Sequence, residues 1–252
     1  MEFVLTCGEN LINDIKNLLL RILAFFYPVT CSCCGKLMSA VSKERVCDGC
    51  RNSLDKIKGF ICHKCGLPLE DGGEHCYVCR HNPKEFHFDK MRAAYLYKNS
   101  VRRLILKFKY FDRIFLAADL AQGVIEVLKQ NDFFNDTDIV IPVPLNIVRR
   151  IKRGYNQAAL LALEVGKSIS KPVSEKILLR SKITKPQFKL SKKERTENIK
   201  NSFVVKNHNL IKKKNVLLVD DIVTTSATAS ACAKVLKESG ASKVYVIALA
   251  RD

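Results

Sequence analysis

Eight cysteines, set as four C-x-x-C pairs within residues 31–79, constrain this chain more than any other feature. The pairs are Cys31/Cys34, Cys47/Cys50, Cys62/Cys65 and Cys76/Cys79, separated by 12, 11 and 10 residues. A C-x-x-C turn points two thiolates at one cation, and two such turns complete a tetrahedral S4 site. Gly35, Gly49 and Gly66 lie beside the pairs, which suits the tight backbone of a metal knuckle. The stretch is poor in core-forming residues and needs a staple. Two structural zinc ions are expected first, iron–sulfur second and disulfides last. The spacing leaves open whether neighbouring or alternate pairs share an ion. Neighbouring pairs are expected, since each short loop then closes at less entropic cost. Cys33 lies inside the first knuckle and out of register, Cys7 and Cys232 read as ordinary thiols, and His63, His75 and His81 read as bystanders. A closed S4 site leaves no position for chemistry, so the module's role is structural or for docking.

The remaining chain is long enough for a proper core: 252 residues, 47% hydrophobic. Leu11, Ile15, Leu18, Ile22 and Phe25 recur at helical spacing, and Pro28 stops the pattern. A helix packed on the next module is expected there, with attachment to the inner face of a membrane as the sharper alternative. The longest apolar run, Leu18–Val29, is broken by Arg21 and is far short of the roughly 20 residues a span needs. No small-residue cleavage site follows it, and the expected location is cytoplasmic. Three segments are expected: an amphipathic helix over 1–29, a double zinc ribbon over 30–85, and an α/β domain over 86–252. Expected strands are 91–97, 139–143, 176–180, 216–219 and 243–250; expected helices are 101–108, 116–129, 156–168 and 228–238. Apolar strand cores such as Val216-Leu217-Leu218-Val219 suit a parallel sheet covered on both faces. The net charge of +18 favours polyanionic partners.

One stretch of the α/β domain carries chemistry. After the apolar strand come Asp220 and Asp221, then Ile222-Val223-Thr224-Thr225-Ser226-Ala227-Thr228 leading into a helix. Ligands of open α/β sheets bind at such strand ends. Backbone amides from Val223 through Ala227 to Thr228 can curl around a phosphate at the helix start, with hydroxyls of Thr224, Thr225, Ser226 and Thr228 as added donors. The two carboxylates repel phosphate but accept hydrogen bonds from vicinal ribose hydroxyls, directly or through magnesium. The composite reads as a site for a ribose 5-phosphate unit.

This stretch resembles the phosphoribosyl-diphosphate (PRPP) motif of type I phosphoribosyltransferases. One position departs, Ser226, where that fold usually has glycine. Ile141-Pro142-Val143-Pro144-Leu145, with Arg149, Arg150 and Arg153-Gly154-Tyr155-Asn156-Gln157 behind it, is similar to a signature of the ComF family. So are Arg180, Thr184, Gln187, Leu190, Glu194-Arg195, Asn198 and Phe203, and the stretches Tyr95-Leu96-Tyr97 and Leu106-Lys107-Phe108-Lys109-Tyr110.

The resemblance implies a type I phosphoribosyltransferase fold behind a double zinc ribbon. It places Asp220 and Asp221 as the catalytic carboxylates and Val223 to Thr228 on the 5-phosphate. Arg149, Arg150 and Arg153 would hold the pyrophosphate, since guanidinium groups match its oxygens bidentately. Gln187, Arg195 and Asn198 would lie in a mobile loop over the ligand. Magnesium is expected with PRPP. The resemblance further implies a role in natural competence, with single-stranded DNA, a competence helicase or DNA-uptake proteins as partners. Three readings stay open: a PRPP- and DNA-binding protein, a working phosphoribosyltransferase, and a zinc-stabilised adaptor.

Overall fold

The computed structural model describes residues 28–39, 41–110, 113–181 and 202–252. Residues 1–27 of the expected helix over 1–29, Cys7 among them, and the expected covering-loop residues Gln187, Arg195 and Asn198 lie outside them. The described chain forms two compact units that divide between Ser53 and Leu54. That division falls inside the cysteine-rich stretch, whereas the composition turns globular only near residue 86.

The unit ending at Ser53 is built on the first ribbon, with a short helix α1, Asp48–Asn52. In the unit from Leu54 the elements follow as α2 (Tyr77–His81), β1 (Lys90–Leu96), α3 (Asn99–Tyr110), α4 (Leu116–Lys129), β2 (Ile139–Pro142) and α5 (Ile147–Arg153). After these come α6 (Gln157–Ser168), β3 (Leu178–Arg180), β4 (Phe203–Val205), β5 (Asn215–Val223), α7 (Ala227–Glu238) and β6 (Lys243–Arg251). Four strands form one sheet in the order β1-β6-β5-β2, and every pairing is parallel. β5 and β6 are its centre and are apolar along most of their length, as a strand buried on both faces must be. Val216, Leu218, Val244, Val246 and Ala248 join the core on the α7 side. The alternate residues Leu217, Val219, Ile247 and Leu249 are fully buried too, on the face that α4 and α6 cover.

Two differences from the expected elements matter. The strand near 176–180 is not part of this sheet: β3 pairs antiparallel with β4 as a separate two-stranded piece. β5 also runs four residues further than its apolar core, because its ladder with β6 continues through Asp220↔Ala248 and Ile222↔Ala250. The acid pair therefore stands inside a hydrogen-bonded strand, close to its end.

The cysteines fall into two tetrads of neighbouring pairs, Cys31, Cys34, Cys47 and Cys50, and Cys62, Cys65, Cys76 and Cys79, with the Sγ atoms of each set within 4.8 Å of one another. A tetrahedron with Zn–S near 2.3 Å has edges of about 3.8 Å. The Cys34–Cys47 and Cys65–Cys76 sulfurs lie 3.9 and 3.6 Å apart, so both tetrads fit a structural zinc ion. Burial opposes ionisation of Cys31 and Cys62, but backbone amides of the two knuckles donate to each sulfur and hold both thiols at about 6. Cys31 accepts from the amides of Cys33 and Cys47 at 3.4 Å each. The first amide comes from its own knuckle and the second from the opposite one.

The second tetrad is part of the core, with all four cysteines buried in the cluster under the sheet. The Met91 amide donates to the Lys64 carbonyl at 2.8 Å. Arg92 of β1 donates to the carbonyls of Cys62 and His63, and Arg251 of β6 to that of Cys65 at 2.7 Å. Gly66 follows with φ +66°, and a Cβ there would meet the Met91 carbonyl oxygen at 2.6 Å. Both facts require glycine.

Two outcomes follow from this asymmetry. The intact chain will carry two zinc ions, measured by atomic emission; Cys34→Ser will lower the content to one without unfolding the sheet-bearing unit, while Cys62→Ser will lower its melting temperature sharply. Gly66→Ala will destabilise the protein by at least about 2 kcal/mol in denaturant titration, from the left-handed backbone and the clash with β1 together.

Candidate functional site

The site is built where β5 ends. Asp220 and Asp221 are its last polar residues, and Thr224, Thr225 and Ser226 turn the chain into α7. Strand alternation would send the two acids to opposite faces, and each carboxylate folds back onto the backbone. Asp220 Oδ1 accepts from the Asp221 amide at 2.8 Å, and Asp221 Oδ1 accepts from the Ile222 amide at 2.7 Å. Burial and the neighbouring carboxylate push the Asp220 pKa well above the usual range. Burial pushes Asp221 the same way, but Lys109 outweighs it and holds Asp221 below that range. The Lys109 ammonium lies 2.8 Å from Asp221 Oδ2, with the side chains only 14% and 15% exposed.

Ser226 caps α7 with φ 61° and ψ 2°, the left-handed backbone that explains why glycine is usual there. The serine adopts it. The residue is 3% exposed, and Oγ is buried with no hydrogen-bond partner among the described residues. An unpaired buried hydroxyl at a helix N-terminus is a donor waiting for an acceptor. Thr224 and Thr225 are exposed beside it, Thr228 is half-buried, and Val223 is buried as the final strand residue.

The arginines stand on α5, a helix the sequence had not resolved. Asn146 caps its start, accepting from the Val148 amide at 2.9 Å, and Gly154 ends it with φ 76°. Asn156 opens α6 and donates to the Val143 carbonyl at 3.1 Å, tying the helix start to the end of β2. Arg153 lies over the Tyr110 ring at 4.8 Å and donates to its hydroxyl at 3.1 Å and to Gln157 at 3.0 Å. Its charge also lowers the Asp221 pKa. Arg149 and Arg150 are exposed on the same helix. Arg149 is close enough to depress the largely buried Arg180 guanidinium, after burial itself.

The structure thus joins Asp220, Asp221 and Arg153, and adds Lys109 from α3, which the family resemblance had included only in the stretch Leu106–Tyr110, with no role. Tyr155, also in the arginine motif, donates to the Phe108 carbonyl and fastens the two elements together. Among the described residues no helix is long and apolar enough to cross a membrane. A parallel sheet with an acid pair near the end of its central strand and a hydroxyl loop opening the next helix is a type I phosphoribosyltransferase fold.

Residues 22–80 match the double zinc ribbon domain family. Competence protein F of Haemophilus influenzae is 32% identical over 232 residues, covering 90% of this chain and 98% of that protein. Competence protein ComFC of Bacillus subtilis is 32% identical over 78% of this chain and 80% of its own length. DNA utilization protein YhgH of Escherichia coli K12 is 27% identical over 89% and 97%. Among solved structures, hypoxanthine phosphoribosyltransferase from Staphylococcus aureus aligns with 52% of this chain and 62% of its own, at 14% identity and a TM-score of 0.35. With near-complete relatives at this identity and both cysteine tetrads in place, the chain belongs to the ComF family.

Proposed function

We propose that this protein binds PRPP with magnesium at the end of β5 and handles single-stranded DNA in the cytoplasm during natural competence, in the company of DNA-uptake or helicase proteins. The observation that carries the ligand reading is the buried, unpaired Ser226 hydroxyl in a left-handed cap at the start of α7, separated from the acid pair by two strand residues and a two-residue turn. The 5-phosphate would lie against the amides from Val223 to Thr228, where the helix dipole favours negative charge. Asp220 and Asp221 would accept from the ribose hydroxyls, and Arg149, Arg150 and Arg153 would face the pyrophosphate. Magnesium, when bound, would neutralise pyrophosphate charge.

The DNA reading is supported by the relatives named for competence and DNA utilization and by the surface of α5. Arg149, Arg150 and Lys152 are exposed there beside Ile151, which is 77% exposed. Exposed Tyr110 adds a ring on the neighbouring helix. Single strands are held by this pairing of cations with stacking surfaces.

One observation favours a second reading, transfer of the phosphoribosyl group to an acceptor. A cavity of about 890 Å³ adjoins Thr224 and Thr225 and is walled by Leu67, Phe86, Val235 and Arg251. Its wall also takes in Phe203 of β4 and Ser230, Lys234 and Glu238 of α7. A nitrogen nucleophile entering there would form its bond to C1 as the C1–O bond breaks, with the electron pair leaving on pyrophosphate. In-line displacement would require that nucleophile to approach from the side away from the pyrophosphate.

Calorimetry with PRPP and magnesium checks the ligand. Wild type will bind, and Asp220→Ala combined with Asp221→Ala will lose at least about 2 kcal/mol of affinity, since each lost acceptor leaves a hydroxyl unpaired; equal heats from both proteins would sink the assignment. Labelled single strands titrated at rising salt check the second part: Arg149→Ala with Arg150→Ala will weaken binding and flatten the salt slope by about 1.4, two contacts at about 0.7 each. Pyrophosphate release across a panel of nitrogen acceptors separates enzyme from binder.

A further inference from the structure

Both oxygens of Asp221 are already engaged without any ligand: Oδ1 by the Ile222 amide and Oδ2 by the Lys109 ammonium. We propose that Lys109 is a resident counter-ion that shuts the acid pair to free divalent cations, so that metal enters only together with a polyphosphate. The second half of this statement rests on the PRPP reading; the first does not.

The position of Lys109 is fixed by its helix. Val101, Leu104, Ile105 and Phe108 form the buried face of α3, and Phe108 is held from outside by the Tyr155 hydroxyl on its carbonyl. Lys109 follows Phe108 directly and projects from the rim of that face. At four-fifths burial or more, its charge is poorly screened, and a metal ion approaching Asp221 meets it at close range. Arg153 adds a second cation to the same field. A bare dication must therefore displace a buried ammonium while facing the Arg153 guanidinium, with only two carboxylates in return.

A polyphosphate changes the balance. Lysine is a compact charge on a flexible stem with three donors, and it can turn from Asp221 to a phosphate oxygen without being left unpaired. Asp221 Oδ2 is then released for a sugar hydroxyl or a metal ion at the moment the ligand's own charge arrives. The latch is selective for ligands that carry both groups, since a sugar without phosphate offers the ammonium nothing to move to. Lys109 acts here through Asp221 and is a positioning residue.

Titration of the zinc-loaded full chain with Mn²⁺ alone, followed by electron paramagnetic resonance, tests this without any turnover. Wild type and Lys109→Arg will leave the free-ion signal nearly unchanged. Lys109→Met and Lys109→Gln will each bind Mn²⁺ at least about tenfold more tightly, the scale of removing one close like charge. Adding Asp221→Asn to Lys109→Met will abolish the gain. Tight Mn²⁺ binding by wild type would overturn the proposal whatever the variants do. So would a variant with native zinc content and native circular dichroism that gains no site. If PRPP gives no heat with wild type while Lys109→Met still gains Mn²⁺, the latch stands and the PRPP reading falls.

Discussion

The attachment of a metal knuckle to a parallel sheet is the constraint on which the larger unit depends. β1 and β6 each contribute an arginine, Arg92 and Arg251, to the carbonyls around Cys62 and Cys65. The Cys62 carbonyl already accepts from the Gly66 amide of its own knuckle at 2.9 Å, and the arginines add donors for the carbonyls of His63 and Cys65, since a buried carbonyl without a donor is costly. The sheet supplies the donors and the ribbon supplies apolar cover for one of its faces. Helices α4 and α6 meet the other face. Without the second tetrad that cover would have to come from a region with almost no long apolar stretch. The zinc ion in this ribbon is thus a substitute for core side chains.

Around the candidate site, electrostatics follow from where β5 stops. The ladder with β6 carries Asp220 and Asp221 as part of the strand, so their backbone is as rigid as the core beside them. Two adjacent carboxylates in a poorly hydrated place cannot both ionise freely. The pair resolves this by unequal treatment: Asp220 is pushed towards its neutral form and Asp221 is paired with Lys109. Cations then surround the pair from two helices, α3 with Lys109 and α5 with Arg153. Charge is concentrated at one end of the sheet, where an anionic ligand can use it.

Much of this was legible before any coordinates. The four C-x-x-C pairs announce two tetrads, and entropy of loop closure assigns neighbouring pairs to one ion. The run Val216–Val219 followed by two acids and four hydroxyl residues announces the strand, the site and the helix in order. Lys109 was not legible as a site residue. Its partner lies more than a hundred positions away, and periodicity sees only that Phe108 is buried and that cations follow. Nor could composition show that the second ribbon shares a core with the sheet, because its cysteines carry the same spacing as those of the first. The four-residue extension of β5 was hidden for a related reason: acids have low strand propensity, and only the partner strand β6 overrides it. The pairing of β3 with β4 is likewise a long-range fact, joining segments on either side of residues 182–201.

Ser226 has a consequence of its own. A glycine at that corner would leave the loop many shapes to sample, and the correct curl would be selected when the anion arrives. A serine held left-handed by its surroundings has few other shapes to visit, and the strain of about 1–2 kcal/mol is met by the folded scaffold instead of by binding. The corner is therefore a preset mould. On the proposed reading, ligands that match its curvature would enter with little entropic penalty, and those needing a wider turn would have to deform the folded scaffold around it.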